Sequence, residues 1–135
     1  MANTQHTLKD SVTLSGIGLH SGKAATVTLR PAPVSAGITF VRTDVTDRDN
    51  VIPARWDRVV DTHLCTVLGN AAGVTVATIE HLMAALRGAD VANVRVDIDG
   101  PEIPAMDGSA ADFLAALDQV GTVDQGAPVQ VIELT

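Results

Sequence analysis

The chain of 135 residues has almost no aromatic side chains, a single cysteine and few basic residues. Aromatic residues make up 2% of it, so its core has to be built from the aliphatic residues and alanine that dominate the 46% hydrophobic share. Cys65 stands alone, which excludes an internal disulfide and is typical of a reducing compartment. Lys and Arg number 9 against 16 Asp and Glu, and the net charge of −7 argues against non-specific binding of nucleic acid.

Long apolar runs are also missing from the sequence. No window approaches the roughly 18–20 apolar residues of a membrane-spanning helix. Residues 1–11 are polar, so no secretory signal peptide is expected in this segment. Because the length fits one domain with a core of its own, these features predict a cytoplasmic domain without a transmembrane segment.

Alternation of apolar and polar residues predicts strands over much of the chain. The predicted strands are residues 8–14, 25–29, 38–41, 63–68, 74–77, 92–99 and 129–134. Residues 69–73, rich in glycine and alanine, are predicted to join two of these strands as a hairpin. The predicted loops are residues 15–22, 43–50 and 100–104, and residues 122–128 have the composition of a linker.

Two helices are predicted, over residues 78–87 and 110–117. Thr78 is a suitable N-cap for the first, Glu80 lies in its first turn, and Gly88 can follow its end. Ser109, with Asp112 three residues later, approximates a capping box for the second helix.

Both predicted helices are apolar around most of their circumference. A helix covered on one side only should carry polar residues on the other, so this pattern predicts a further layer that covers the outer side. That layer could be a second domain, a second copy of the chain or another protein. The alternative is that faces rich in alanine tolerate contact with water.

Glu80 and His81 are the most informative pair in the sequence. Neighbouring side chains diverge by about 100° around a helix, so the two cannot bind one ion together from that helix. One could bind a metal while the other transfers a proton, as metal-assisted hydrolysis requires. The alternative is ordinary helix chemistry, since Glu is favoured in a first turn and a lone His is more often packed or hydrogen-bonded. Ala84 and Ala85 exclude the HExxH pattern of zinc proteases.

A zinc site in a protein needs three or four ligands, and the other candidates are scattered. They are His6, His20, His63 and Cys65. His63 and Cys65 are two apart on a predicted strand and would share a face, although an exposed histidine and a buried cysteine are the more common explanations. Asp107 either shapes the turn before a helix or faces a ligand. From the residues alone, the sequence indicates a fragment of a metal-dependent hydrolase.

Five motifs occur in an order that resembles a known family. They are GIGLHSG at residues 16–22, LRPAP at 29–33, DT and LCT between 61 and 66, TIEHL and AAL between 78 and 86, and PEIP and MDGSA between 101 and 110. The sequence from about residue 7 to residue 117 is similar to the N-terminal domain of the zinc-dependent UDP-3-O-acyl-N-acetylglucosamine deacetylases, which act in lipid A biosynthesis in Gram-negative bacteria.

The resemblance implies an α+β fold of two layers, with two helices packed on one face of a mainly antiparallel mixed sheet, like the second domain of ribosomal protein S5. It also implies a domain over residues 1–121, followed in residues 122–135 by a linker and the first strand of a second domain. In the family, helices of both domains lie between two sheets, which would explain why the predicted helices are apolar on both sides.

The resemblance also implies roles for single residues. Glu80 matches the general base and His81 a zinc ligand, while the other zinc ligands belong to the second domain. The residues that match the substrate passage are Leu19, His20, Leu64 and Cys65. No role carries over to His63, and the part played by His20 stays open.

We therefore expect the N-terminal half of a deacetylase that, as an isolated chain, binds zinc weakly and turns over its substrate negligibly. One alternative is a non-catalytic assembly module that pairs, or self-associates, through helices 78–87 and 110–117. A second alternative is a self-contained metal site formed by His20, His63, Cys65 and His81, within one chain or across a dimer.

Overall fold

The computed structural model describes residues 4–62, 65–106 and 110–129, except for the side chain of Trp56. The elements of these residues are, in chain order, β1 (Thr4–Leu8), β2 (Val12–Ile17), β3 (Ala24–Pro31), β4 (Ile38–Arg42), β5 (Val51–Pro53), a 3-10 turn (Trp56–Arg58), β6 (Val59–Asp61), β7 (Val67–Gly69), β8 (Thr75–Ala77), α1 (Glu80–Gly88), β9 (Val94–Ile98), α2 (Ala111–Val120) and β10 (Thr122–Pro128).

A five-stranded sheet with the order β2-β3-β9-β4-β5 forms one layer of the domain. Its neighbouring strands are antiparallel except for β4 and β9, which are parallel. The period-two pattern turns one face inward, where seven side chains are completely buried: Val27, Leu29, Phe40, Ile52, Val94, Val96 and Ile98. The other face is polar, and there Asp97 accepts hydrogen bonds from Arg30 and Arg95.

The two helices form the second layer. Leu82, Ala85 and Leu86 of α1 and Phe113 and Leu117 of α2 are buried in one core with the inward face of the sheet. The predicted fold class, a two-layer α+β domain with a mainly antiparallel mixed sheet, is confirmed. Neither described helix is long and apolar enough to cross a membrane.

The strand β10 corrects the prediction of a linker over residues 122–128. It pairs antiparallel with β1, from Leu8 opposite Thr122 to Thr4 opposite Pro128. Residues 122–128 resemble a linker because they contain Gly and Pro, but their pairing partner is distant in sequence and leaves no local signal. The predicted strand over 129–134 lies outside the described residues beyond Val129.

The first predicted strand, over residues 8–14, was wrong because two strands occupy this region. β1 ends at Leu8 and β2 begins at Val12, and between them Asp10 accepts a hydrogen bond from the amide of Ser11. The loop predicted over residues 15–22 is shorter than expected, since β2 continues to Ile17 opposite Ala24.

A small three-stranded sheet, β6-β7-β8, includes the predicted hairpin. β7 and β8 are antiparallel, and the amide of Asn70 donates to the carbonyl of Val74 in the turn between them. The strands β5 and β6 were not predicted, because each has three residues and, unlike the equally short β7 and β8, neither adjoins a turn rich in glycine and alanine.

The helix ends differ from the predicted caps. Ile79 occupies the N-cap position of α1 without a side-chain capping bond, and Thr78 before it has a φ of 61°. Gly88 is the last residue of α1, and the left-handed residue beyond it is Asp90, with a φ of 58°. The helix α2 runs to Val120, three residues beyond its predicted end, while the predicted capping residue Ser109 lies outside the described residues.

Candidate functional site

Four segments meet beside the N-terminal end of α1. They are the loop after β2, residues 65 and 66 before β7, the end of β8, and the segment after β9. Together with Asp61 they enclose a cleft of about 410 Å³. The residues that line it are His20, Ser21, Asp61, Cys65, Ala77, Pro101 and Glu102.

Backbone hydrogen bonds fix the segment after β9 against the end of β8. The amide of Ala77 donates to the carbonyl of Pro101 at 2.8 Å, and the amide of Ile103 donates to the carbonyl of Ala77 at 3.0 Å. This parallel bridge places Glu102 beside Thr78, two residues before the start of α1. The prolines on either side keep the segment irregular, as predicted, but its backbone is bonded to the sheet.

The carboxylate of Glu102 is the centre of the polar contacts at the cleft. Glu102 is 5% exposed and accepts a hydrogen bond from the hydroxyl of Thr78 at 2.7 Å. It also accepts bonds from the backbone amides of His20 at 3.0 Å and Ser21 at 2.9 Å. Burial raises the pKa of Glu102, but the hydrogen bonds from Thr78, Ser21 and His20 outweigh this effect and hold the pKa below its ordinary value. The loop that carries His20 is therefore anchored on a buried, ionised side chain.

Gly18 provides the space for this arrangement. A Cβ atom at position 18 would collide with the carboxylate of Glu102 and the hydroxyl of Ser21. The loop is closed by two backbone bonds, from the amide of Gly22 to Gly18 at 3.0 Å and from the amide of Gly18 to Lys23 at 2.9 Å. The glycine is thus required by a close approach rather than by an unusual backbone angle.

Glu80 and His81 lie in the first turn of α1, and neither is among the residues that line the cleft. Glu80 is exposed, and its Oε1 accepts a hydrogen bond from the amide of Thr66 at 2.5 Å. Thr66 follows Cys65, and its carbonyl accepts a bond from the amide of Thr78 at 3.1 Å. The carboxylate is therefore bonded to the backbone next to a residue of the cleft, Cys65, and His81, half-buried, occupies the next position along the helix.

The other residues predicted from the sequence have mixed outcomes. His20 and Cys65 line the cleft together, while Leu19 lies in the same loop and is 65% exposed. Leu64, His63 and Asp107 lie outside the described residues.

In the part of the chain that the structure describes, no group of three or more His, Cys, Asp or Glu side chains could hold a metal ion. His20, Cys65 and His81 therefore do not form a metal site by themselves. A self-contained site that includes His63, or one formed across a dimer, falls outside this finding.

Sequence reasoning missed Glu102, Thr78 and Asp61 as residues of the site. Glu102 offered one signal, because it lies between two closely spaced prolines in an otherwise apolar segment. A carboxylate that is buried with such a segment needs hydrogen-bond partners. Thr78 gave a misleading signal, because its hydroxyl suits an N-cap but is used to bond Glu102.

The fold and the cleft define a two-layer α+β domain with a cleft near the start of α1, the helix whose first turn carries Glu80 and His81. A carboxylate and an imidazole are side chains that metal-assisted hydrolysis uses. A model of the family described as UDP-3-O-acyl N-acetylglycosamine deacetylase matches residues 5–135. The chain belongs to this family, and the part of the family that it matches is the N-terminal one.

Curated relatives with the name UDP-3-O-acyl-N-acetylglucosamine deacetylase cover nearly the whole chain. The one from Phenylobacterium zucineum is 52% identical over 130 residues, which are 96% of this chain and 44% of that protein. The one from Myxococcus xanthus is 53% identical over 128 residues, 95% of this chain and 40% of that protein. The one from Shewanella halifaxensis is 47% identical over 131 residues, 97% and 42% respectively. The chain thus spans about two fifths of the length of these relatives.

Proposed function

We propose that this chain supplies the N-terminal part of an enzyme that removes the N-acetyl group from UDP-3-O-acyl-N-acetylglucosamine in lipid A biosynthesis. Membership of the deacetylase family supports the proposal. The observation that carries it is the hydrogen bond between the carboxylate of Glu80 and the amide of Thr66, because Thr66 directly follows Cys65, which lines the cleft together with His20.

In this proposal Glu80 accepts a proton from the water that attacks the amide carbonyl. A general base has to be held within hydrogen-bond reach of its proton, and a carboxylate fixed through one oxygen can present the other to the reacting atoms. The bond from Thr66 comes from the backbone, so it restricts the carboxylate more than a mobile side-chain partner would.

His81 is proposed as one zinc ligand. The described residues do not fit a complete zinc site, because they contain no group of three metal-binding side chains. A zinc ion would act as a Lewis acid on the amide, and its remaining ligands would have to come from outside the described residues.

Leu19, His20, Leu64 and Cys65 are proposed to lie along the substrate passage. In support, the loop after β2 presents apolar surface beside the cleft, since Ile17 is 55% and Leu19 65% exposed. Such a surface suits an acyl chain better than a nucleotide. A cytoplasmic location is proposed with this function, in keeping with the single cysteine.

The outer side of α1 and α2 is proposed as the surface that the rest of the enzyme covers. The exposed residues there include small or apolar ones, with Leu114 39% exposed beside Gly88. Arg87, Asp118 and Gln119 are also exposed, so the apolar strip is narrower than the sequence predicted. Self-association through the same helices is the alternative use of this surface.

A chimera tests the proposal. This chain would replace the corresponding part of the Myxococcus xanthus relative, and the release of acetate from UDP-3-O-acyl-N-acetylglucosamine would be measured. We expect an active chimera, and a Glu80→Gln variant with kcat reduced by about 100-fold or more.

The matched control is Asp112→Asn, which makes the same acid-to-amide change in the first turn of α2. It should leave the rate within about twofold. Activity of the Glu80→Gln chimera at the level of this control would refute the role of Glu80. A folded but inactive parent chimera would favour the non-catalytic assembly module instead.

A further inference from the structure

We propose that Glu102 is a positioning residue with two effects. Through Thr78 it sets the orientation of Glu80, and it fixes the position of the loop that carries His20 relative to Glu80. The proposal deepens the proposed function, on which the catalytic meaning of Glu80 rests. The structural claim, that one buried carboxylate joins two segments of the cleft, does not depend on the catalytic role of Glu80.

The first observation is the backbone of Thr78. Its φ of 61° lies in the left-handed region, which β-branched residues rarely adopt. Such a conformation persists only where the surroundings impose it, and such residues cluster at functional sites. Two bonds hold Thr78 there, from its hydroxyl to Oε2 of Glu102 at 2.7 Å and from its amide to the carbonyl of Thr66 at 3.1 Å.

The second observation is that Thr66 contacts both Thr78 and Glu80. Its carbonyl accepts the bond from Thr78, and its amide donates to Oε1 of Glu80. A change in the backbone of Thr78 therefore moves the start of α1 relative to Thr66 and alters the bond that anchors Glu80. The amide of Thr66 should therefore respond to a change at Thr78.

The third observation is the opposite side of the same carboxylate. The amides of His20 and Ser21 both donate to Glu102, which is buried and surrounded by donors. A single anion thus fixes the His20 loop on one side and the residue that leads into α1 on the other. Shape alone would not require a charged group here, because an apolar side chain could fill the space without accepting three donors.

The test follows the amides of His20, Ser21 and Thr66 by NMR in Glu102→Gln, Thr78→Val and Thr78→Ser variants of this chain. Exchange rates are corrected for the global unfolding free energy measured in urea. In Glu102→Gln we expect all three amides to exchange about tenfold faster or more, and the Thr66 N–H resonance to shift. Thr78→Val should affect Thr66 in the same way, whereas Thr78→Ser, which keeps the hydroxyl, should resemble the parent.

The control is Asp97→Asn, which neutralises a buried carboxylate on the polar face of the sheet. It should leave the three amides unchanged after correction for stability. The proposal is overturned if Thr66 is unaffected in both Glu102→Gln and Thr78→Val, because Glu102 would then only anchor its own loop. Should Glu102→Gln not fold, Thr78→Val with Thr78→Ser decides the question.

A catalytic measurement separates this inference from the proposed function. In the active chimera, Thr78→Val should lower kcat with little change in KM, and Thr78→Ser should restore it. If the amide effects appear but Glu80→Gln retains activity, the linkage is real and the role assigned to Glu80 is wrong. If Thr78→Val changes KM alone, Glu102 does not position the reacting group.

Discussion

At the scale of single residues, the cleft depends on a glycine that makes room for a buried acid. Gly18 and Glu102 are far apart in the sequence, with strands of two sheets and the helix α1 between them. The carboxylate nevertheless occupies the space that a side chain at position 18 would need. The sequence marked the segment around Gly18 as a loop but gave no reason for the glycine. The reason lies in a contact with a residue that pattern analysis treated as irregular loop.

Substitution of Gly18 by Ala should destabilise the domain by about 1–3 kcal/mol, because the added methyl group overlaps the Glu102 carboxylate and the Ser21 hydroxyl. Urea unfolding measures the change. The control is Gly100→Ala, since a Cβ at position 100 meets no atom within 4 Å. Equal stability of the two variants would show that the loop moves aside without cost.

At the scale of elements, the small sheet β6-β7-β8 is attached to the central sheet by side chains. Arg42, at the end of β4, donates to the carbonyl of Thr75 at 2.9 Å and holds Asp44 through two bonds. The hydrogen bond from Arg42 is the main cause that lowers the pKa of Asp44.

Asn70 adds bonds to the carbonyls of Asp49 and Val51. The position of β8, and with it the end that leads to Thr78, depends on these contacts.

Replacement of Arg42 by Lys should cost about 1–3 kcal/mol, because lysine cannot hold Asp44 through two parallel bonds and reach Thr75 as well. The amides of β8 should also exchange faster. Arg55→Lys is the matched control, since Arg55 also pairs with an aspartate two residues later, Asp57, but at an exposed site. It should change the unfolding free energy by less than about 0.5 kcal/mol. Similar losses in both variants would contradict this role of Arg42.

The elements also show which parts of the fold can be predicted from the sequence. The strands β3 and β9 were predicted because each alternates over five or more residues, and β4 was predicted from a shorter alternation over residues 38–41. The strands β1 and β10 were missed or displaced, because their ladder joins segments at opposite ends of the sequence. At the site, the sequence pointed to the loop with His20, which lines the cleft, while the roles of Glu80 and His81 stay predictions. It could not identify the bond from Thr78 to Glu102, which depends on a left-handed residue that local preference disfavours.

At the scale of the whole molecule, the chain is a folded unit that covers about two fifths of its relatives. Its core is aliphatic, apart from Phe40 and Phe113, and includes both helices. The carboxylate of Glu102 and the imidazole of His20 line the cleft, but the described residues hold no set of metal ligands. This agrees with the proposal that the chain contributes part of a larger site.

The isolated chain should accordingly bind zinc weakly and in less than equimolar amount. Elemental analysis after dialysis, followed by a competition titration with a chromogenic chelator, measures this. A His81→Gln variant should reduce the remaining affinity, whereas His6→Gln, away from the cleft, should not. Equimolar zinc that survives dialysis and is lost in His81→Gln would show a complete site within these residues.

The pairing of β1 with β10 has a consequence for how the domain folds. Thr4 and Asp124, which are bonded across this ribbon, are 120 residues apart. Closing so long a loop carries an entropic cost that is recovered only when the rest of the core is in place, and contacts of this kind slow folding. During synthesis β1 emerges before β10 and has no partner strand until β10 is made. An unpaired strand can pair with strands of other chains, so this ribbon is where we expect aggregation of newly made protein to begin.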